Sequence, residues 1–190
     1  MSAFSDYDLV NRNPLKKKIF SINDDFQNRL IRLSFERIFL FLKDIIPDFK
    51  LEISSDECAR NFKKSFAAAK AQNLISYGGI PEKNYLALSI ISQLLNPSLY
   101  VESGFFKGSS LLAVSDAKNL KHIIGFDPIH SEYKAKLPID IKLTLLKTDF
   151  SKYNFEDENL TSSLVYFDDH INTAERILQA SDKGFKNLIF

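Results

Sequence analysis

Three short apolar runs each lead into a carboxylate, and those carboxylates are where this sequence could do chemistry. Ile123 to Phe126 ends in Asp127, the run before Lys147 ends in Asp149, and Leu164 to Phe167 ends in Asp168, Asp169 and His170. A fourth run, Leu99 to Ser103, contains Glu102 and opens into Gly104, Phe105, Phe106, Lys107 and Gly108, followed by Ser109 and Ser110. Glycines at 104 and 108 supply backbone freedom where a strand must turn sharply into a helix. Such a turn presents N–H groups and a positive dipole end to a ligand. An acid roughly 20 residues after a glycine turn has the spacing for gripping ribose hydroxyls, because one carboxylate accepts from both oxygens. Asp127 stands at that spacing. The dinucleotide fingerprint is absent: one glycine is missing and one is displaced, which points away from a pyrophosphate and toward a nucleoside without one.

The second constellation is Asp168, Asp169 and His170. Oxygen ligands of this kind suit Mg²⁺, which typically takes one or two carboxylates plus substrate oxygens. Such an ion acidifies a substrate hydroxyl. His170 offers a route without metal, since its unperturbed pKa lies near neutrality. Asp169 or His170 could equally cap the next helix, and Asp149 could simply cap a turn.

The elements that must position these residues follow from periodicity and punctuation. Strands are expected at 99–103, 122–126, 142–147, 163–167 and 187–190, with helices at 108–118 and 171–183. Strands alternating with helices imply a mainly parallel sheet with ligands at the carboxyl ends of its strands. Residues 128–140, including His130, hold no convincing helix. Ahead of this half lie three helical segments. Asn23 or Asp24 caps the first, which runs to Ile46 before Pro47. Its apolar residues Phe26, Leu30, Leu33, Ile38, Phe41 and Ile45 recur at helical spacing and are expected to face the core. A dimer contact or a lid over the substrate is the sharper reading. Ser54 and Glu57 have capping-box spacing for the second helix, to Gln72, with Cys58, Phe62, Phe66 and Ala69 on one side. Ser76 to Gly79 is a connecting loop, and Pro81 starts the third helix, which stops near Asn96. Two regions are therefore expected: a helical amino-terminal cap over 1–97 and a Rossmann-like domain over 98–190.

The segment Glu102 to Ser110 resembles the first motif of class I S-adenosylmethionine-dependent methyltransferases, in the form of the catechol-type O-methyltransferases and the cephalosporin-hydroxylase-like group. That resemblance implies an α/β Rossmann-like fold with S-adenosylmethionine as cofactor. It implies that Glu102, Gly104, Phe106, Gly108, Ser110 and Asp127 line the cofactor site, with Asp149 near the adenine. Asp168 and His170 would activate the acceptor. Asp168 matches the metal-binding acid of metal-dependent relatives, with Asp169 beside it, so Mg²⁺ is an expected second cofactor. The implied reaction is O-methylation of a small hydroxylated substrate such as a sugar or sugar-nucleotide. Relatives continue beyond a fifth strand, where metal-dependent members place a further acidic pair, whereas this sequence stops at Phe190. The expectation is an incomplete sheet: a fragment, a truncated product with weak or no catalysis, or a sheet completed by a partner.

Composition narrows the alternatives. The 25 basic and 24 acidic side chains leave a net charge of +1, so nothing drives general binding to nucleic acid or to an anionic membrane. Lys16 to Lys18 read as a solvated surface in an irregular leader over 1–21. The single cysteine, Cys58, excludes an intrachain disulfide and suits a reducing, cytoplasmic setting. No run approaches the length of a membrane span, and the start has no signal-peptide pattern. His122 and His130 are expected at the surface. A nicotinamide-dependent oxidoreductase on the same fold is the competing enzyme, opposed by the missing glycine fingerprint. A truncated, non-catalytic Rossmann-like module that binds a partner through its helices is the third reading.

Overall fold

A computed structural model describes residues 24–75, 80–128, 133–138, 140–156 and 158–190. The expectations for the 1–21 leader, the Asn23 cap, the Ser76–Gly79 loop and His130 lie outside those residues. Helices α1 (Asp24–Ile45), α2 (Ser55–Ala71) and α3 (Glu82–Leu95) precede strand β1 (Leu99–Ser103). Then come α4 (Ser109–Val114), β2 (His122–Phe126), β3 (Lys142–Leu146), β4 (Ser163–Phe167), α5 (Thr173–Lys183) and β5 (Leu188–Ile189). Two 3₁₀ turns, at Phe150–Lys152 and Leu160–Ser162, lie between β3 and β4.

The five strands form one sheet in the order β3-β2-β1-β4-β5, and every pairing is parallel. This is a Rossmann-like α/β fold. β1, β2 and β4 are buried along their whole length, as strands covered on both faces must be. Alternation along each strand sorts the core into two layers. Tyr100, Ile123, Leu164 and Tyr166 point to the side packed by Phe62, Phe66, Tyr85, Leu88 and Leu111 of α2, α3 and α4. Val101, Ile124, Phe126, Val165 and Phe167 point to the other side, against Phe150, Phe155, Phe185 and Ala180 of α5. The leading helices and the sheet thus share one core. Aromatic rings dominate the second layer: Phe150 packs edge-on to Phe126 and Phe167 with centroids 5.8 and 5.0 Å away, in the geometry that ring quadrupoles favour.

Helix ends follow their local chemistry. Ser54 accepts the Glu57 N–H at 3.2 Å. Asn96 closes α3 in the left-handed region, and Pro81 sits at its N-cap, one residue before the helix begins. Asn172 accepts from the N–H groups of Ala174 and Glu175. α4 is shorter than the expected 108–118, because the Ser115 hydroxyl and N–H both turn back to the Leu112 carbonyl and end it. No helix occurs among the described residues of 128–140.

Two expectations about faces are corrected. α1 buries Ile31, Phe35 and Leu42, whereas Phe26, Leu30, Leu33, Phe41 and Ile45 stand exposed. The helix is apolar on more than one side, and the stripe that meets α2 and α3 is not the one with the most regular spacing. His122 belongs to β2 and is buried, with Nε2 2.9 Å from Thr144 Oγ1 and Nδ1 3.1 Å from Glu158. Those two partners are what let an imidazole occupy a strand position. Among the described residues no helix is long and apolar enough to cross a membrane.

Candidate active site

The carboxyl ends of β1, β2 and β4 meet at the Gly104–Gly108 turn. Gly104 has φ +96°, and a Cβ there would lie 2.6 Å from the Asp168 carbonyl oxygen. Its N–H donates to the Phe126 carbonyl at 2.7 Å, while the Asp168 N–H donates to the Ser103 carbonyl at 2.9 Å. The glycine thus lets β1 turn while pressed against the end of β4. Gly108 (φ +85°) caps α4, and a Cβ there would meet the Tyr133 ring at 2.7 Å. Both glycines are required by the protein's own packing. Between them Phe106 takes φ +41°, a region a bulky residue rarely occupies. That conformation points the Phe106 N–H at Asp127, whose Oδ2 accepts it at 3.2 Å. Asp127 is half-buried at the end of β2. The expected pairing of glycine turn and acid is therefore a physical contact.

Glu102 lies beneath this turn, fully buried. Its carboxyl accepts the Ser110 hydroxyl at 2.5 Å and the Tyr100 hydroxyl at 2.9 Å. Burial pushes its pKa up to about 8, against those two hydrogen bonds, and the charges of Asp168 and Asp127 push the same way as burial. Near pH 7 Glu102 is mostly neutral. Glu102 and Ser110 therefore brace the turn from within the core. Tyr166, opposite Glu102 on β4, is raised by burial and by the charges of Asp168 and Glu102, and a bond to Asn84 lowers it in part.

Just past the end of β4, Asp168 is half-buried. Burial raises its pKa, His170 pulls it down and Asp169 pushes it up. A carboxylate moved toward neutrality is a better proton acceptor at physiological pH. His170 is exposed with φ +59°.

Asp169 and Asp149 share one partner. Arg176 on α5 is 1 % exposed and reaches both. Its Nη2 lies 2.6 Å from Asp169 Oδ2 and 2.7 Å from Asp149 Oδ2. Its Nε also donates to Asp169 at 2.9 Å and its Nη1 to Asp149 at 3.1 Å. Asp169 further accepts the Ser103 hydroxyl at 2.5 Å and the Ile171 N–H at 3.2 Å. Asp149 accepts the Ser151 N–H at 2.9 Å and caps the 3₁₀ turn. Arg176 holds the Asp149 carboxyl well below the usual range, against the opposing effect of burial. Burial disfavours the Arg176 charge, but the bonds to Asp149 and Asp169 outweigh it and leave its pKa raised. One guanidinium thus ties the ends of β3 and β4 to the helix behind them.

This arrangement bears on the metal expectation. Both Asp169 oxygens already accept hydrogen bonds, two of them from a cation that would repel a divalent ion. Asp168 alone is left to ligate, and among the described residues no three His, Cys, Asp or Glu side chains gather as a ligand set. Asp168 and Asp169 do not fit Mg²⁺. Arg176 was not anticipated. Its signal was the arginine four residues before Ala180, on the buried face of α5, which reads in sequence as an ordinary surface charge.

No protein-family model and no curated protein matches this chain. Among solved structures it is similar to an O-methyltransferase from Bacillus cereus in complex with SAH, at 12% identity and a TM-score of 0.44, over 80% of this chain and 69% of that one. A likeness so distant leaves the function to be argued from the chain's own residues. Two concavities, about 210 Å³ beside Asp116 and about 680 Å³ beside Tyr153, lie away from the strand ends. Neither includes Asp127 or Asp168.

Proposed function

We propose that this chain binds S-adenosylmethionine at the carboxyl edge of its sheet and methylates a hydroxyl of a small molecule, such as a sugar. The observation that carries this reading is the contact between the Phe106 N–H and Asp127, which sets an acid at the end of β2 against the glycine turn after β1. A carboxylate can accept from both hydroxyls of a ribose, and that is the role proposed for Asp127. This donor and acceptor chemistry fits a nucleoside without a pyrophosphate.

The sulfonium cofactor brings an activated methyl group with its own leaving group. The protein's part is to align, to deprotonate and to exclude water. Asp127 and the Gly104–Gly108 backbone orient the nucleoside. Asp168 is the proton acceptor for the substrate hydroxyl, and the adjacent His170 helps to hold its charge. Glu102, being mostly neutral, spares the site a third negative charge beside Asp127 and Asp168. Arg176 keeps the β3 and β4 ends in register from behind the sheet.

The test is transfer of labelled methyl from S-adenosylmethionine to a panel of hydroxylated acceptors, with Asp168→Asn alongside. The expected result is methyl ether formation that falls at least about a hundredfold in the variant. The wild-type kcat/KM should also fall at low pH with a midpoint above the ordinary carboxylate value of 3.8, because only ionised Asp168 accepts the proton. Full activity in Asp168→Asn would remove it from the reaction.

A further inference from the structure

α1 carries an apolar face that no other described residue covers. Ile31, Phe35 and Leu42 bury one side of the helix against α2 and α3. On the other side Phe26, Leu30, Leu33, Leu40, Phe41 and Ile45 are 49–62% exposed. At 3.6 residues per turn these six fall along one stripe, running most of the way down a helix of about 33 Å. Taking ~200 Å² for a fully exposed large apolar side chain, they offer on the order of 600–700 Å² per copy. The largest apolar patch of an ordinary monomer is about 300–600 Å². A standard interface buries about 800 Å² from each partner, which the stripe nearly supplies before any flanking side chain is added.

We propose that this stripe is a homodimer interface in which α1 packs antiparallel against α1 of a second copy. The residue pattern favours that partner and that direction. In a two-fold interface residue i meets j, and j meets i. With the axis between Phe35 and Glu36, Phe26 lies opposite the partner's Ile45 and Leu30 opposite the partner's Phe41. The two charges inside the stripe then fall against polar groups, Arg37 opposite the partner's Ser34 and Asp44 opposite the partner's Gln27. A parallel two-fold pairing would set Arg37 beside the partner's Arg37 and Asp44 beside the partner's Asp44, and like charges in an apolar seam are costly. The antiparallel register thus sets apolar against apolar at Phe26 and Leu30, and polar against polar at Arg37 and Asp44.

Sedimentation equilibrium of the full chain between about 1 and 100 µM tests this. The expected species has twice the 21.8 kDa chain mass. Leu30→Glu and Phe41→Lys should each give a monomer, since each sets a charge against an apolar side chain. The double variant should regain the dimer, because the new carboxylate at 30 faces the new ammonium at 41 of the other copy, twice over. Within one helix these positions are 11 residues, about 16 Å, apart, so no intrachain pair can mimic the rescue. Both side chains are exposed, so circular dichroism and Tm should show the single variants still folded. A wild-type chain that stays monomeric at 100 µM overturns the proposal, and so does a folded single variant that stays dimeric. A double variant that stays monomeric refutes the antiparallel register. Because the readout is mass, it is independent of cofactor binding.

Discussion

Glu102 provides a quantitative handle on the turn at the heart of the site. It is fully buried, and its carboxyl is raised from an ordinary value of 4.5 to about 8. A carboxyl whose folded pKa lies above its unfolded one favours folding in its protonated form. Its destabilising effect is therefore absent below about pH 4.5, grows as the pH rises, and levels off above about pH 8. Each unit of separation corresponds to about 1.4 kcal/mol, so the full effect is about 5 kcal/mol, of which about 4 kcal/mol falls between pH 5 and pH 9. Glu102→Gln keeps the shape and still pairs with the Ser110 and Tyr100 hydroxyls, each of which both donates and accepts. It cannot ionise. Urea unfolding of both proteins at pH 5, 7 and 9 gives the difference directly, and all other titrating groups cancel in it. The variant should gain on the wild type by about 4 kcal/mol between pH 5 and pH 9. Stability profiles that run parallel would show that the Glu102 carboxyl is ionised in the fold and that the burial argument is wrong.

Two further substitutions probe how the strand ends are held. Gly104→Ala places a methyl against the Asp168 carbonyl at a φ of +96° and should lower stability by about 1–3 kcal/mol, read as a fall in Tm. Wild-type Tm in the variant would show that the β1 and β4 ends are not in contact. Arg176→Met leaves two carboxylates without their cation and should cost about 3 kcal/mol at pH 7. The pKa of Asp149 is depressed in the fold, so the stabilisation its ion pair provides is present above about pH 4 and is lost as the pH falls further. The gap between wild type and Arg176→Met should accordingly narrow below pH 4, and a gap independent of pH would contradict an ion-pair origin.

The parts of this fold legible in the sequence are those decided locally. Short β-favouring runs bounded by glycine or acid located β1, β2 and β4 to the residue. The Gly104–Gly108 turn was legible because the backbone leaves the region open to other residues at both positions. The approach of Asp127 to that turn followed from parallel pairing, which brings Ser103 and Phe126 side by side. What the sequence concealed depends on partners far along the chain. Asp149 reads as an adenine contact and Asp169 as a metal ligand, and neither position announces Arg176, 27 and 7 residues away, which bonds to both. His122 looks like a surface residue until Thr144 and Glu158 fold over it. α1 is apolar around much of its circumference, and periodicity cannot say which stripe meets α2 and α3. That choice is made by the packing of three helices together.

The proposed methyl transfer depends most directly on Asp127 and the turn beside it holding a nucleoside. Titration calorimetry of S-adenosylhomocysteine into the intact chain, beside Asp127→Ala, tests it. Loss of hydrogen bonds from two ribose hydroxyls to a charged acceptor is worth at least about 1.4 kcal/mol. The prediction is micromolar binding by the wild type that weakens tenfold or more in the variant. A folded wild-type chain that binds nothing, or a variant that binds equally well, would contradict the assignment of this strand edge as a cofactor site.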